Sequence, residues 1–397
     1  MPSNFQRLAA IASKESKHIL GLMSGTSMDG LDVALCRISG HGLDTEFELL
    51  EFTTIPHSED YQHKVRSVFT REEAPASHLT FLHQYIAEMH ADQVMKALEK
   101  WKWTPDEIDL IASHGQTVYH NPHNRAFTDI PARSVTLQLG DGDFMATRTG
   151  IITVSDFRQK HIAAGGEGAP LALYGDLLLC SSRKEDRLLL NIGGIANFTW
   201  LPRLGSGRSP VCSDTGPGNT LLDAFIQRHY GRPYDKDAQV GRSGEVNQKI
   251  LDTLMDDPFF SLPLPRTTGP ELFNLEYLDH KLIESGTGHL PGHDIMATLH
   301  AFTTQSIASS IKEYLNGSMP IFVSGGGMHN PLLMQNLKRE FPGHAIEPAS
   351  RLGIDPDAKE AIIFAVMANE CLFGQPDKYP LDASSYPNIT LGKVSFP

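Results

Sequence analysis

The sequence predicts a two-domain α/β protein, and three observations carry that prediction. The chain has 397 residues, more than a single hydrophobic core usually serves. Its apolar pattern alternates between strand-like and helix-like periods along the whole length. Each half also opens on a strand, a glycine-containing turn and a second strand: "HILGLMSGTSMDGLDVALCRI" from His18 and "RLLLNIGGIANFTWL" from Arg187. Two similar α/β halves leave a cleft between them, and such clefts are preferred ligand sites.

The elements follow in order. His18–Leu22 and Leu31–Ile38 read as paired strands, with Phe47–Ile55 a third. Leu79, Leu82, Ile86 and Met89 recur at spacings of three and four, which predicts a helix. Ile108–Ala112 is a strand that ends in the loop "SHGQTVYHNPH", and "VTLQLGDGD" and "IITVSDFR" are further strand-and-loop units. The glycine break "AAGGEGAPL" is the expected domain crossing. In the second half "VCSDTGPGNTLLDAFIQ" reads as strand, loop and helix, and a helix starts with Asp294 as its N-cap. "MPIFVSGGGMHNPLLMQNL" is strand, triple glycine and helix, with Asn330 and Pro331 suited to the N-cap and first helical position. A last helix covers Ala358–Leu372. The expected division is a tail or short extra helix at 1–17, a first domain at 18–164 and a second at 165–375, with 376–397 packing back on the first.

Composition narrows the function. A net charge of −13 argues against a nucleic-acid surface, which needs a basic face. No polybasic run suits anionic lipid and no apolar run reaches membrane-spanning length. Cys36, Cys180, Cys212 and Cys371 are scattered, so buried free thiols in a reducing compartment are expected, rather than disulfides or a zinc site. Residues 1–17 lack the apolar core of a signal peptide, and the expected location is cytoplasmic.

The glycine turns point to polyphosphate, because glycine lets backbone N–H groups approach closely. The first offers Gly25, Thr26, Ser27 and Gly30, the second Gly193, Gly194 and Asn197. The triple glycine Gly325–Gly327 stands at a strand-to-helix turn, where N–H groups and the helix dipole can face a nucleotide. One such turn alone is no more than a tight hairpin; three in matching contexts favour a nucleotide. Neither GxxxxGK[ST] nor a GxGxxG after a strand occurs, so phosphates pinched between two hairpin turns fit better. Asp29, with the neighbouring hydroxyls, can hold Mg²⁺ directly or through water. Asp214, near a strand end before glycines, is either a cap of the next helix or a general base. His114, His120 and His123 have a spacing open to zinc, but no acidic ligand accompanies them, and His114 and Gln116 suit a cleft lining better. Asp156 and Arg158 form either a structural ion pair or part of the cleft.

A resemblance becomes specific here. "GLMSGTSMDGLDVAL", "SHGQTVYH", "RTGIITVSDFR", "AAGGEGAPL", "NIGGIANFT", "DTGPGN", "SGGG" and "LGKVSFP" occur in that order from Gly21 to the C-terminus. Together they resemble the anhydro-N-acetylmuramic acid kinases of bacterial cell-wall recycling. The resemblance implies two ribonuclease-H-like domains of the duplicated actin, sugar kinase and Hsp70 superfold, with an interdomain cleft. It implies ATP and Mg²⁺ as cofactors, and 1,6-anhydro-N-acetylmuramic acid and water as partners, with a homodimer left open. The implied reaction opens the anhydro ring with water and phosphorylates O6. Asp214 is then the base that activates water, with a further contact to the sugar. Met28 and Asp32 join the phosphate loop, and Ser24, His114, Gln116, Arg148 and Glu360 the sugar site. Without the resemblance Arg148 is a surface charge and Glu360 a solvated helix residue.

Three features depart from the pattern: residues 1–17, the insertion-like "LPRLGSGRSP", and Glu167 where glutamine is expected. The superfold also hosts ATP-driven scaffolds, exopolyphosphatase-like hydrolases and idle binding proteins, so fold alone does not decide function.

Overall fold

The described residues of this computed structural model are 3–127, 130–169, 171–375 and 387–397, without the side chains of 122–132. They form two compact units: Met1–Cys180 with Asp357–Pro397, and Ser181–Pro356.

In the first unit, β1 (Ser16–Ser24), β2 (Gly30–Ser39) and β3 (Glu46–Pro56) make an antiparallel meander, with Gly21 opposite Ala34 and Asp32 opposite Thr54. On the other side of β1 lies β4 (Leu110–Phe127), in parallel, and it is flanked in turn by β6 (Thr153–Ser155). β5 (Ile130–Leu139) pairs with β4. The second unit repeats the plan. β7 (Arg187–Ile192), β8 (Ile195–Leu201) and β9 (Val211–Pro217) form the meander, and β10 (Ile321–Ser324) and β11 (Ile346–Pro348) continue from β7 in parallel. The sheet orders β3-β2-β1-β4-β6 and β9-β8-β7-β10-β11 are therefore one topology used twice. β12 (Lys393–Ser395) lies antiparallel to β6.

Burial follows this placement. β1 is almost wholly buried, as a central strand covered on both faces must be, whereas edge strand β3 alternates between half-buried and exposed positions. One core of the first unit joins Leu20, Leu22, Val33 and Leu35 to Ala91 and Val94 of the long helix Ala76–Trp101. In the second unit Leu188, Leu190 and Phe198 pack with Phe225, Leu299 and Phe302.

Several expectations change. The division was expected at 164/165 and 375/376, yet helices Ala172–Cys180 and Lys359–Phe373 both belong to the first unit. The latter packs on β1, β2, β4 and the former helix. Gly21 permits this, since a Cβ there would overlap the Ala361 carbonyl oxygen. Asp176 and Lys359 add an ion pair of 2.8 Å between the two helices. "SHGQTVYH" is strand, not loop, because β5 supplies its backbone partners. The helix Gly292–Ile311 has Pro291 at its N-cap; Asp294 lies inside, and its carboxylate accepts from the Glu245 N–H at 2.8 Å. Residues Asn4–Ala12 are a helix closed by a Ser3–Gln6 capping box. Cys36, Cys180 and Cys212 are buried and Cys371 is half-buried, and no disulfide joins them.

Candidate active site

The first turn, Gly25–Asp29, joins β1 to β2. Thr26, Ser27 and Asp29 are exposed on it, while Met28 is buried with its backbone in the left-handed region at φ 59°. Such a φ is uncommon outside glycine, and an apolar side chain tucked into the core (Val65, Leu82 and Ile86 surround it) holds it there. Met28 can therefore meet a ligand only through its main chain. The Ser27 hydroxyl donates to Asp29 Oδ1 at 2.7 Å. Asp32 accepts from Thr54 at 2.6 Å; its carboxyl is raised by burial and further by the charges of Asp29 and Asp357. Asp29 and Asp32 thus place two carboxylates beside the turn.

Behind the turn sits a buried polar network. Ser24 donates to Gln116 Oε1 at 2.7 Å, Tyr61 donates to the same oxygen at 3.1 Å, and the Gln116 amide donates to the Gly25 carbonyl at 3.1 Å. The His57 ring stacks on Tyr61 with its Nε2 3.0 Å from Ser24 Oγ, and its main-chain N–H donates to the Asp29 carbonyl at 2.9 Å. Since the single Ser24 proton faces Gln116, the network assigns the shared proton to His57 Nε2. Burial pushes the His57 ring down to about 4, so it is neutral near pH 7. His57 and Tyr61 were not singled out in the sequence; "TTIPHSEDY" carries no signal beyond two aromatic rings four apart.

Ser24 and Gln116 are almost fully buried, as is His114. Ser24 and Gln116 support the loop from behind through these bonds. His114 Nδ1 lies 2.9 Å from the Gly115 carbonyl, and its Nε2 accepts from Arg158 Nε at 2.8 Å. Burial, followed by the Arg158 charge, holds the ring well below its usual range. Arg158 also donates to the Gly168 carbonyl at 2.9 Å. It does not pair with Asp156, whose partner is Lys393 at 3.7 Å. Glu360 is open to solvent yet surrounded by protein; desolvation raises its carboxyl, and Arg158 partly offsets this. Arg148 lies apart from this group. Asp92 binds its guanidinium through two bonds, 2.6 and 3.0 Å, beside a surface cavity of about 360 Å³ lined by Glu88, Asp143, Phe144 and Thr147. His120 contacts Thr136, the His123 side chain lies outside the described residues, and among the described residues no three His, Cys, Asp or Glu side chains gather to hold a metal.

In the second unit three loops meet. The turn at Gly193–Gly194 is held by "DTGPGN": the Gly218 N–H donates to the Gly194 carbonyl, and Asn219 donates from backbone and side chain to the Gly193 carbonyl, at 2.8 and 3.1 Å. Gly218 admits no Cβ, which would overlap the Gly193 carbonyl. Gly325, at φ +80°, packs against Asn191 and Ile192. The helix after the triple glycine starts only at Pro331, beyond a 3₁₀ turn Gly326–His329, and Asn330 already caps its first N–H groups. The helix dipole expected at Gly325–Gly327 is thus displaced by a turn, leaving the glycine N–H groups themselves.

Asp214 lies within β9, opposite Asn197 on β8. It caps no helix. Its Oδ2 accepts the Thr268 N–H at 2.9 Å, and its own N–H donates to the Arg266 carbonyl at 3.0 Å. Burial pushes its carboxyl up to about 6; the Thr268 N–H opposes this and the Glu271 charge adds to it. Such a carboxylate is ionised at neutral pH but basic enough to take a proton from water. Thr268 and Glu271 act through a loop distant in sequence, so no local motif could have flagged them.

A unit of three antiparallel and two parallel strands, used twice with glycine turns at equivalent hairpins, defines a duplicated α/β fold. Residues 17–397 match the family described as anhydro-N-acetylmuramic acid kinase. The chain is 48% identical over 404 residues to a protein of that name from Pseudoalteromonas atlantica, with all of both chains covered. It is 46% identical to one from Pseudoalteromonas translucida, again over the whole of both. It is 38% identical to one from Caldanaerobacter subterraneus, covering 98% of this chain and 99% of that one. The chain belongs to the anhydro-N-acetylmuramic acid kinase family, and it is a kinase that uses ATP. Among the described residues no helix is long and apolar enough to cross a membrane.

Proposed function

We propose that this enzyme converts 1,6-anhydro-N-acetylmuramic acid, ATP and water to N-acetylmuramic acid 6-phosphate and ADP, in the cytoplasm, as a step of peptidoglycan recycling. Asp214 takes a proton from water as the water oxygen bonds to C1. The C1–O6 bond breaks, and O6 bonds to the γ-phosphorus as the bond to ADP breaks. The observation that carries this reading is the Asp214 carboxylate, half-buried and raised to about 6 yet held ionisable by the Thr268 N–H. Phosphoryl transfer otherwise needs positioning and charge neutralisation. The N–H groups of Gly25–Gly30, with Thr26 and Ser27, and of Gly193, Gly194 and Gly325–Gly327 suit phosphate oxygens, and Asn197 flanks the second turn. Asp29, with Asp32 beside it, suits Mg²⁺, which would offset charge on the transferring phosphoryl group.

For the sugar, Glu360 and Arg158 fit best, with His114, Gln116 and Ser24 holding them and the loop from behind. Arg158, whose Nε and Nη1 donate to His114 and the Gly168 carbonyl, keeps Nη2 for a lactyl carboxylate; Arg148, in an exposed ion pair with Asp92, is the alternative partner. The test is ADP release with the anhydro sugar, with N-acetylmuramic acid, and with no sugar. Release that depends on the anhydro sugar is expected; equal release without any sugar would indicate a nucleotide hydrolase or scaffold.

A further inference from the structure

We infer that Arg266 is a positioning residue for the reaction: its guanidinium anchors the segment from Phe259 to Thr268, and the main chain of that segment presents an N–H to the Asp214 carboxylate. The inference rests on Asp214 being the base. Arg266 is buried, at 8% exposure, where a charge needs dense hydrogen bonding. Its Nη1 donates to the carbonyls of Phe259, Phe260 and Leu262 at 3.0, 2.9 and 3.3 Å, and its Nη2 to Ser310 Oγ at 2.8 Å. The Phe259 ring stands 4.4 Å from the guanidinium carbon. A planar fork with five donors can bind these partners together, and a lysine cannot.

The main chain of the same residue meets β9. Its carbonyl accepts from the Asp214 N–H and its N–H donates to Ser213 Oγ, at 3.0 and 2.9 Å. Two residues on, the Thr268 N–H reaches Asp214 Oδ2 at 2.9 Å. One side chain thus fixes a loop whose backbone grips the base from two directions. The groups facing Asp214 are this N–H, which favours the carboxylate, and the Glu271 carboxylate, which disfavours it. Arg266 itself touches no reacting atom: its guanidinium is turned to Ser310 and the loop carbonyls.

If the anchor loosens, the N–H···carboxylate bond weakens and Asp214 protonates more easily. The test is the pH dependence of kcat/KM in Arg266→Lys and Arg266→Met, with thermal melting in parallel. The acid limb should move upward by about one pH unit in Arg266→Met and by less in Arg266→Lys, the size expected for losing a hydrogen bond to a charged acceptor. A purely structural arginine would lower the melting temperature and leave the limb in place. An unmoved limb in folded Arg266→Lys overturns the inference, whatever becomes of the Met variant. Asp214→Asn serves as the control. If that variant keeps full turnover, the reading of Asp214 as base fails; if it loses turnover while the Arg266→Lys limb stays put, only the role of Arg266 fails.

Discussion

Replacing Asp214 by asparagine should slow the enzyme and steady the fold in the same protein. The side chains are nearly isosteric, and asparagine Oδ1 can still accept the Thr268 N–H. Loss of a general base typically costs about 10²–10⁴ in turnover. The stability effect follows from the raised carboxyl, about 6 against an ordinary 3.8. A group that binds its proton more tightly when folded contributes stability that is full below the unfolded pKa and is lost as pH rises through the folded one. For Asp214 that window runs from 3.8 to about 6. Two units correspond to roughly 3 kcal/mol, and solvent screening of a partly exposed group lowers this to ~1–2 kcal/mol. Asparagine has no charge to bury. Its melting temperature should therefore exceed the parent's by a few degrees at pH 8, roughly as expected for this size of unit, and the gap should close near pH 4. The assays are coupled ADP release and calorimetry across that range. In the parent, kcat/KM should rise through pH 6 and level above it. A folded Asp214→Asn enzyme with parental turnover, or one less stable than the parent at pH 8, would refute the reasoning.

Two further substitutions test the loops. Gly25→Val should fold, because an added Cβ meets only Ser27 Oγ at 3.6 Å, yet block close backbone approach; the KM for ATP should rise roughly tenfold or more, as for a lost charge-assisted hydrogen bond, and a change in the sugar KM alone would make the turn a sugar site. Arg158→Lys should raise the sugar KM while Arg148→Ala leaves it unchanged, since Arg148 is paired with Asp92; the reverse pattern in substrate-saturation kinetics would place the sugar carboxylate at Arg148 instead.

Much of the fold was legible because the hairpins are local. The apolar run within His18–Leu22, the second run Leu31–Ile38, the glycines between them, and the Asn330–Pro331 helix start each depend on neighbours a few residues away, and the structure has them there. What could not be read depends on distant partners. "SHGQTVYH" becomes strand because β1 and β5 lie beside it. Helix Lys359–Phe373 joins the first unit because Gly21, more than 300 residues earlier, leaves room for its backbone. The same holds for the site. Asp214 and the glycine turns stood out by residue type and setting. His57, Thr268 and Arg266 did not, since each acts by what the fold brings against it.

The central claim is that one turnover adds both water and a phosphoryl group to a single sugar. Mass spectrometry of the product formed from ATP and 1,6-anhydro-N-acetylmuramic acid in ¹⁸O-water, quenched early, tests it most directly. The expected product is N-acetylmuramic acid 6-phosphate carrying one ¹⁸O at C1 and none in the phosphate, with one ADP released per sugar. A phosphorylated product with the anhydro ring intact, or ¹⁸O appearing in free phosphate with the sugar unchanged, would contradict it.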